Sequence, residues 1–355
     1  MRSIAKRVRI TRTPISRLCE EVRESAPFGT VFADHILLAN FEDGRWDEPE
    51  ILPYGPLPLP PAPSALHYGQ AVFEGFKAHR TVDGEIAIFR PNDNLARLNR
   101  SAARLAMPEV TKSLFLDGIA ELVRLDRDWV PHRPGGALYI RPVYFAIDEA
   151  LQVLPAARYR LVVLTSPVGP YFTGAVSLVA DEHYVRAFPG GTGDVKPAGN
   201  YGGTLLPARD ARERGFDNVL WLDGIEHRFV EECGLMNVMF VIDGSVVTPP
   251  LTGTILPGII RDTILTLLRD MGVTVEERLI ALEEIVAAQA AGRLTEAVGV
   301  GTAVTIVPIG RISYRDHDIR LKPGGVESIM GIVRSRLEAI RTGREEDAHG
   351  WLMRI

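Results

Sequence analysis

A single lysine, Lys196, stands among six glycines in residues 190–203. Glycine lets a backbone approach a flat ligand closely, and a lysine desolvated in such a place gives up its proton more readily. The resulting neutral amine is what Schiff-base chemistry requires. This is not a Walker loop: no glycine directly precedes Lys196, and Pro197 follows where Ser or Thr would reach a metal. It also lacks the third glycine of a dinucleotide fingerprint. Alone, it reads equally well as a flexible surface loop.

Two carboxylates, Glu231 and Glu232, adjoin an apolar, strand-prone stretch. Alternation along an extended chain sends them to opposite sides, so that one could be solvated and the other turned inward. An inward carboxylate needs a cationic or hydrogen-bonding partner, and a protonated pyridine nitrogen is one. The alternative is a solvated acidic pair. A third feature is an anion seat. Leu256-Pro257-Gly258 opens a helical pattern, and the amides of Ile259 and Ile260 fall in its first turn. Such amides lack intrahelical partners and lie at the positive end of the helix dipole. Gly301-Thr302-Ala303 closes a strand-like run and offers a second set of donors.

The elements that must hold these groups are legible in outline. Residues 71–79 and 86–89 read as strands joined by an Asp83-Gly84 turn. Residues 93–105 and 113–129 have helical spacing, as do 282–291 and 326–342. A further helix begins at Gly258 and ends at Gly272. Residues 53–63 hold too many prolines for a helix. Mixed strands and helices in both halves give an α/β (α+β) protein of two domains. The expected boundaries are a basic extension over 1–30, a smaller domain over 31–168, a linker over 169–175 and a larger domain over 176–355 that carries Lys196.

Composition narrows the function. A net charge of -5 among 355 residues argues against nucleic acid as a partner. No apolar run approaches a membrane-spanning length. Cys19 and Cys233 are far apart, which fits a reducing compartment, and the cytoplasm is expected. No metal-ligand spacing stands out. Arg2, Lys6, Arg7, Arg9, Arg12 and Arg17 precede the first acid, Glu20. A solvated extension or an early start is expected there rather than a transit peptide, since no cleavage pattern is visible.

Several ordered motifs make the resemblance specific. Residues 67–78, 89–98, 139–142, 167–172, 196–201, 221–223, 256–258 and 301–303, with Glu232, Met236 and Asn237, resemble the branched-chain aminotransferases of the pyridoxal-phosphate fold type IV class. The closing residues 348–352 resemble the longer branch of that family. The resemblance runs from about Phe32 to the C-terminus and implies a two-domain fold type IV homodimer. It implies reversible transfer of the amino group of L-leucine, L-isoleucine or L-valine to 2-oxoglutarate, giving L-glutamate. By it, Lys196 bonds pyridoxal 5′-phosphate and shuttles the substrate proton. Glu232 pairs with the pyridine nitrogen and Tyr201 with the phenolate oxygen. Arg97, Ile259, Ile260 and Thr302 hold the phosphate. Tyr68, Phe73, Tyr139 and Tyr171 wall the side-chain pocket, Arg141 meets the distal carboxylate of glutamate, and Thr302-Ala303 binds the α-carboxylate. Without the motifs, each aromatic reads as ordinary core.

The chain departs from the family in places. Val304 and Val307 stand where longer relatives can carry two cysteines, so no thiol switch is expected there. Leu235 stands where some relatives have Thr or Gly next to the cofactor, and Pro197 follows the lysine. The nearest rival readings are a D-amino acid aminotransferase and an aminodeoxychorismate lyase, which are typically shorter and lack the Tyr139-Ile140-Arg141 and Trp351 features. A non-enzymatic relative is the reading of another class. Retention of Lys196, Glu232, Tyr201 and Arg97 together opposes it.

Overall fold

The computed structural model describes residues 8–25, 27–169, 171–172 and 174–355. Arg2, Lys6 and Arg7 of the basic start, and Pro170 and Thr173 of the expected linker, lie outside them. The chain divides into two compact units: Met1–Tyr171 with Lys196–Gly199 and Ala339–Ile355, and Phe172–Val195 with Asn200–Glu338.

The first unit is built on a ten-stranded sheet. Its centre is the long antiparallel pair Ala137–Ala146 and Tyr159–Val168. His35–Glu42 and Glu50–Pro53 extend it on one side. Phe76–Arg80, Ile86–Phe89 and the C-terminal Leu352–Arg354 extend it on the other. The hairpin turns at Gly84, whose φ of 84° suits glycine. The helix Pro91–Arg104 packs Leu95, Leu98 and Ala102 into a core with Phe76, Ile88, Phe115 and Ile140. Residues 113–129 are not one helix. They form a π turn, the α-helix Gly118–Leu125 and a 3-10 turn.

One expectation is refined and one corrected here. The described residues from 9 to 21 are largely exposed, as expected of a solvated extension, but hydrogen bonds latch them to the first unit. Arg9 and Ile10 pair with Glu50 and Ile51. Thr13 N donates to His35 Nε2 at 2.9 Å, so the opposite ring nitrogen donates to Asp126 at 2.6 Å. Asp34 accepts from Arg17 N at 2.9 Å and from the buried Trp129 indole at 3.0 Å. Lys196, too, groups with the first unit, not with 176–355. Phe73 N donates to Lys196 O at 3.2 Å and Ala198 N to Ala71 O at 2.9 Å, so residues 196–198 add to the strand Ala71–Phe73.

In the second unit six strands close on themselves. Val230–Cys233, Asn218–Leu222, Val176–Asp181, Thr305–Tyr314, Leu294–Gly301 and Met236–Ile242 pair in that order, and the last pairs back to the first. Closure removes sheet edges and encloses Leu178, Leu220, Val238, Phe240 and Ile309. The helix Ile259–Asp270 starts one residue after Gly258, as the sequence predicts, and ends before Gly272.

Candidate active site

In the first unit the lysine is fixed by its backbone. Lys196 N donates to Ser101 Oγ at 3.0 Å, and that hydroxyl donates to Arg97 O at 2.9 Å, one helical turn back. The Lys196 ammonium lies 4.7 Å from the Phe73 ring centroid. Arg141 covers the same ring at 4.7 Å and the Tyr139 ring at 5.2 Å, while one of its amino groups donates to Tyr139 Oη at 2.9 Å. Gly75 explains how close Tyr139 comes: a Cβ there would lie 1.9 Å from the Tyr139 hydroxyl. Phe28 packs edge-on against Tyr139 at 5.0 Å and Tyr171 at 4.9 Å. Lys196, Phe73, Tyr139, Arg141 and Tyr171 therefore gather around one aromatic cluster.

Arg97 is buried and bound to the fully buried Glu74, through Nε at 2.7 Å and an amino group at 2.9 Å. This pair uses two of the five N–H donors of a guanidinium. Tyr68 stands apart from the cluster. It is exposed, and its hydroxyl donates to Leu151 O at 2.8 Å.

In the second unit Glu232 is buried. Its Oε1 accepts from Leu256 N at 2.9 Å and from Asn237 Nδ2 at 3.2 Å, and its Oε2 lies 3.1 Å from Arg186 Nε. Asn237 pairs with Glu232 on one side and with Val300 on the other, and its amide also donates to Leu256 O at 2.9 Å. Gly258 must be glycine, because a Cβ would meet Asn237 Oδ1 at 2.0 Å. Register thus brings Glu232, the strand end leading to Thr302-Ala303, and the helix start at Ile259 and Ile260 to one Asn237. Tyr201 lies in the short helix Gly199–Gly202, and its carbonyl accepts from Thr204 Oγ at 2.8 Å.

The expected split of the acidic pair does not occur, since Glu231 is buried as well as Glu232. Trp221 faces Glu232 and Leu222 faces Val230, so Glu231 is the extra residue of a β-bulge. A bulge breaks the alternation on which the sequence reading relied. The neighbouring Cys233 is fully buried, and burial pushes its thiol well above the ordinary range, away from thiolate reactivity.

Sequence reasoning missed Phe28, Glu74, Ser101 and Arg186. Glu74 lay inside a recognised motif, and a buried arginine one helix away could have flagged it. Phe28 lay in a segment read as extension.

A family model described as amino-transferase class IV matches residues 71–312. The chain belongs to the class IV aminotransferases. The probable branched-chain-amino-acid aminotransferase of Staphylococcus epidermidis is 43% identical over 333 residues, 92% of this chain and 93% of that protein. The branched-chain aminotransferase of the thermophilic archaeon Thermoproteus uzoniensis, solved with norvaline, superposes on this aminotransferase with a TM-score of 0.75 at 26% identity, over 90% of this chain and 98% of that one. The branched-chain amino acid aminotransferase of Escherichia coli gives 0.72 at 26% identity, over 90% and 98% of the chains.

Proposed function

We propose that this aminotransferase exchanges amino groups between L-leucine, L-isoleucine or L-valine and 2-oxoglutarate, using pyridoxal 5′-phosphate held by Lys196. The carrying observation is the Phe28, Phe73, Tyr139 and Tyr171 aromatic cluster with Arg141 against two of its rings. Such a surface suits two substrates in turn. Its rings would bury an aliphatic side chain, worth about 1.5–3 kcal/mol, and its guanidinium would meet a distal carboxylate.

The donor set fits the cofactor. Glu232 is a buried carboxylate with a charge to offer a pyridinium. Arg97, Thr302 and the first amides of the helix Ile259–Asp270 suit a phosphate, and Tyr201 suits a phenolate oxygen. When bound, the cofactor supplies an electron sink for the substrate Cα. Lys196 would take the Cα proton and return it to the cofactor's imine carbon, acting as base and then acid. Thr302-Ala303 amides would hold the α-carboxylate.

The active form in this reading is a homodimer. Leu66, Tyr68, Leu151, Val153 and Leu154 are exposed on the first unit, and apolar residues so placed are suited to a second subunit. Tyr68 would then serve a pocket completed across the interface.

The test is spectroscopic. Adding L-leucine to purified protein should bleach the bound-cofactor band, and 2-oxoglutarate should restore it, with Lys196→Ala as control. A response to D-alanine alone would move the protein to the D-amino acid branch, and the absence of any cofactor band would sink the reading.

A further inference from the structure

Glu231 is a buried carboxyl for which the reaction has no direct use. Its Oε1 accepts the hydroxyl of Thr254, itself buried, and its Oε2 is buried without a hydrogen-bond partner among the described residues. Thr254 belongs to the segment 251–258 that leads into the helix Ile259–Asp270. The Thr254 carbonyl accepts from Arg186, whose Nε lies on Glu232. Arg186 also donates to Gly193 O at 3.0 Å, and a Cβ on Gly193 would lie 2.3 Å from Thr254 O. Two residues beyond Thr254, the Leu256 amide donates to Glu232. The bulge residue, the Thr254 segment, Arg186 and Glu232 thus form one closed polar circuit.

We propose that Glu231 is a positioning residue: from its bulge it holds Thr254, and so fixes the segment that delivers the Leu256 amide to Glu232 and sets the start of the phosphate-binding helix. The inference rests on the cofactor reading above. Charge supports the role. Burial pushes the Glu231 carboxyl above the ordinary glutamate range, the charges of Glu232 and Asp223 add to that, and Thr254 and Arg186 oppose it. The upward shift eases the competition between Glu231 and Glu232 for the positive charge of Arg186.

Geometry asks of Glu231 an acceptor for the Thr254 hydroxyl, which a glutamine also supplies, and this separates three variants. The holoenzymes of Glu231→Gln, Glu231→Ala and Thr254→Val are compared with wild type for cofactor release on dialysis, and for the pH at which the bound-cofactor band titrates. Glu231→Gln should match wild type within about twofold. Glu231→Ala and Thr254→Val should lose cofactor on the order of tenfold more readily, as expected for one lost hydrogen bond. Their bands should titrate at higher pH, because a loosened Glu232 protonates the ring nitrogen less and leaves the imine more basic. Thr254→Val removes a single hydroxyl and so serves if Glu231→Ala does not fold. Loss in Glu231→Gln equal to that in Glu231→Ala would overturn the proposal, since charge would then be the requirement. Unchanged retention and titration in all three, with only a lower melting temperature, would also overturn it by reducing Glu231 to a structural role. A wild-type chain that never takes up the cofactor refutes the cofactor reading itself, and the unmutated control tells that case apart.

Discussion

Glu74 has no exposure and meets Arg97 with both carboxylate oxygens. Removing one partner of a buried pair leaves the other charge uncompensated, which costs about 3–5 kcal/mol. Glu74→Gln is therefore expected to lower stability by that order in urea titration, and to weaken retention of cofactor by misaligning Arg97. Unchanged unfolding would mean that the pair is not the anchor its geometry describes. At this scale chemistry and motif coincide at Lys196 and Glu232, and the inward carboxylate that the sequence allowed is found buried at Glu232. The sequence was not legible where a partner came from elsewhere in the chain. Glu74 needs Arg97 from the following helix, and Phe28 reaches Tyr139 from a segment that looked like a tail. Glu231 was misread for a more specific reason: side-chain alternation is a property of regular strands, and a bulge suspends it.

Local turn and helix signals transferred well to the elements. Gly84 and Gly272 adopt positive φ where the pattern asked for a turn and a helix end. The Gly258 helix and the helix over 93–105 appear within about two residues of expectation. Pairings between distant segments did not transfer, among them that of Val176–Asp181 with Thr305–Tyr314 and the addition of Leu352–Arg354 to Ile86–Phe89. Such pairings depend on tertiary register, which no local window contains. The strand Phe76–Arg80 carries a consequence of its own. His79 is buried there with neither ring nitrogen hydrogen-bonded among the described residues, and burial, Arg341 and Lys77 hold its pKa well below 6.5. The unfolded chain binds a proton near pH 6.5 that the folded chain refuses. Stability is thus full above that pH and falls as the pH drops below it, by up to ~1.4 kcal/mol per unit until the folded pKa is reached. Replacing His79 by Leu should shrink the drop in melting temperature between pH 7.5 and 5.5. An equal drop in the variant would assign the acid sensitivity to other groups.

For the molecule as a whole, the two compact units are not contiguous stretches of chain. The chain returns to the first unit twice, at Lys196–Gly199 and at Ala339–Ile355. A contiguous division at a linker could not anticipate this, because Pro and Gly mark where a chain turns and not which sheet it rejoins. The surface of the first unit supports one more prediction. Leu151, Val153 and Leu154 are 67%, 78% and 64% exposed, and Leu66 is 66% exposed. Tyr68 ties these segments together by its bond to Leu151 O. A dimer that covers this face would bury apolar surface at about 25 cal/mol per Å², and an aspartate within it would be desolvated without a partner. Val153→Asp with Leu154→Asp should therefore convert the protein from twice the chain mass to a monomer in sedimentation, and activity should fall as dimer is lost. Because these residues lie on a loop away from Lys196 in sequence, the bound-cofactor band of any remaining holoprotein reports whether the first unit is still folded. A wild-type protein that sediments as an active monomer would remove the interface and leave the exposed face in need of another partner.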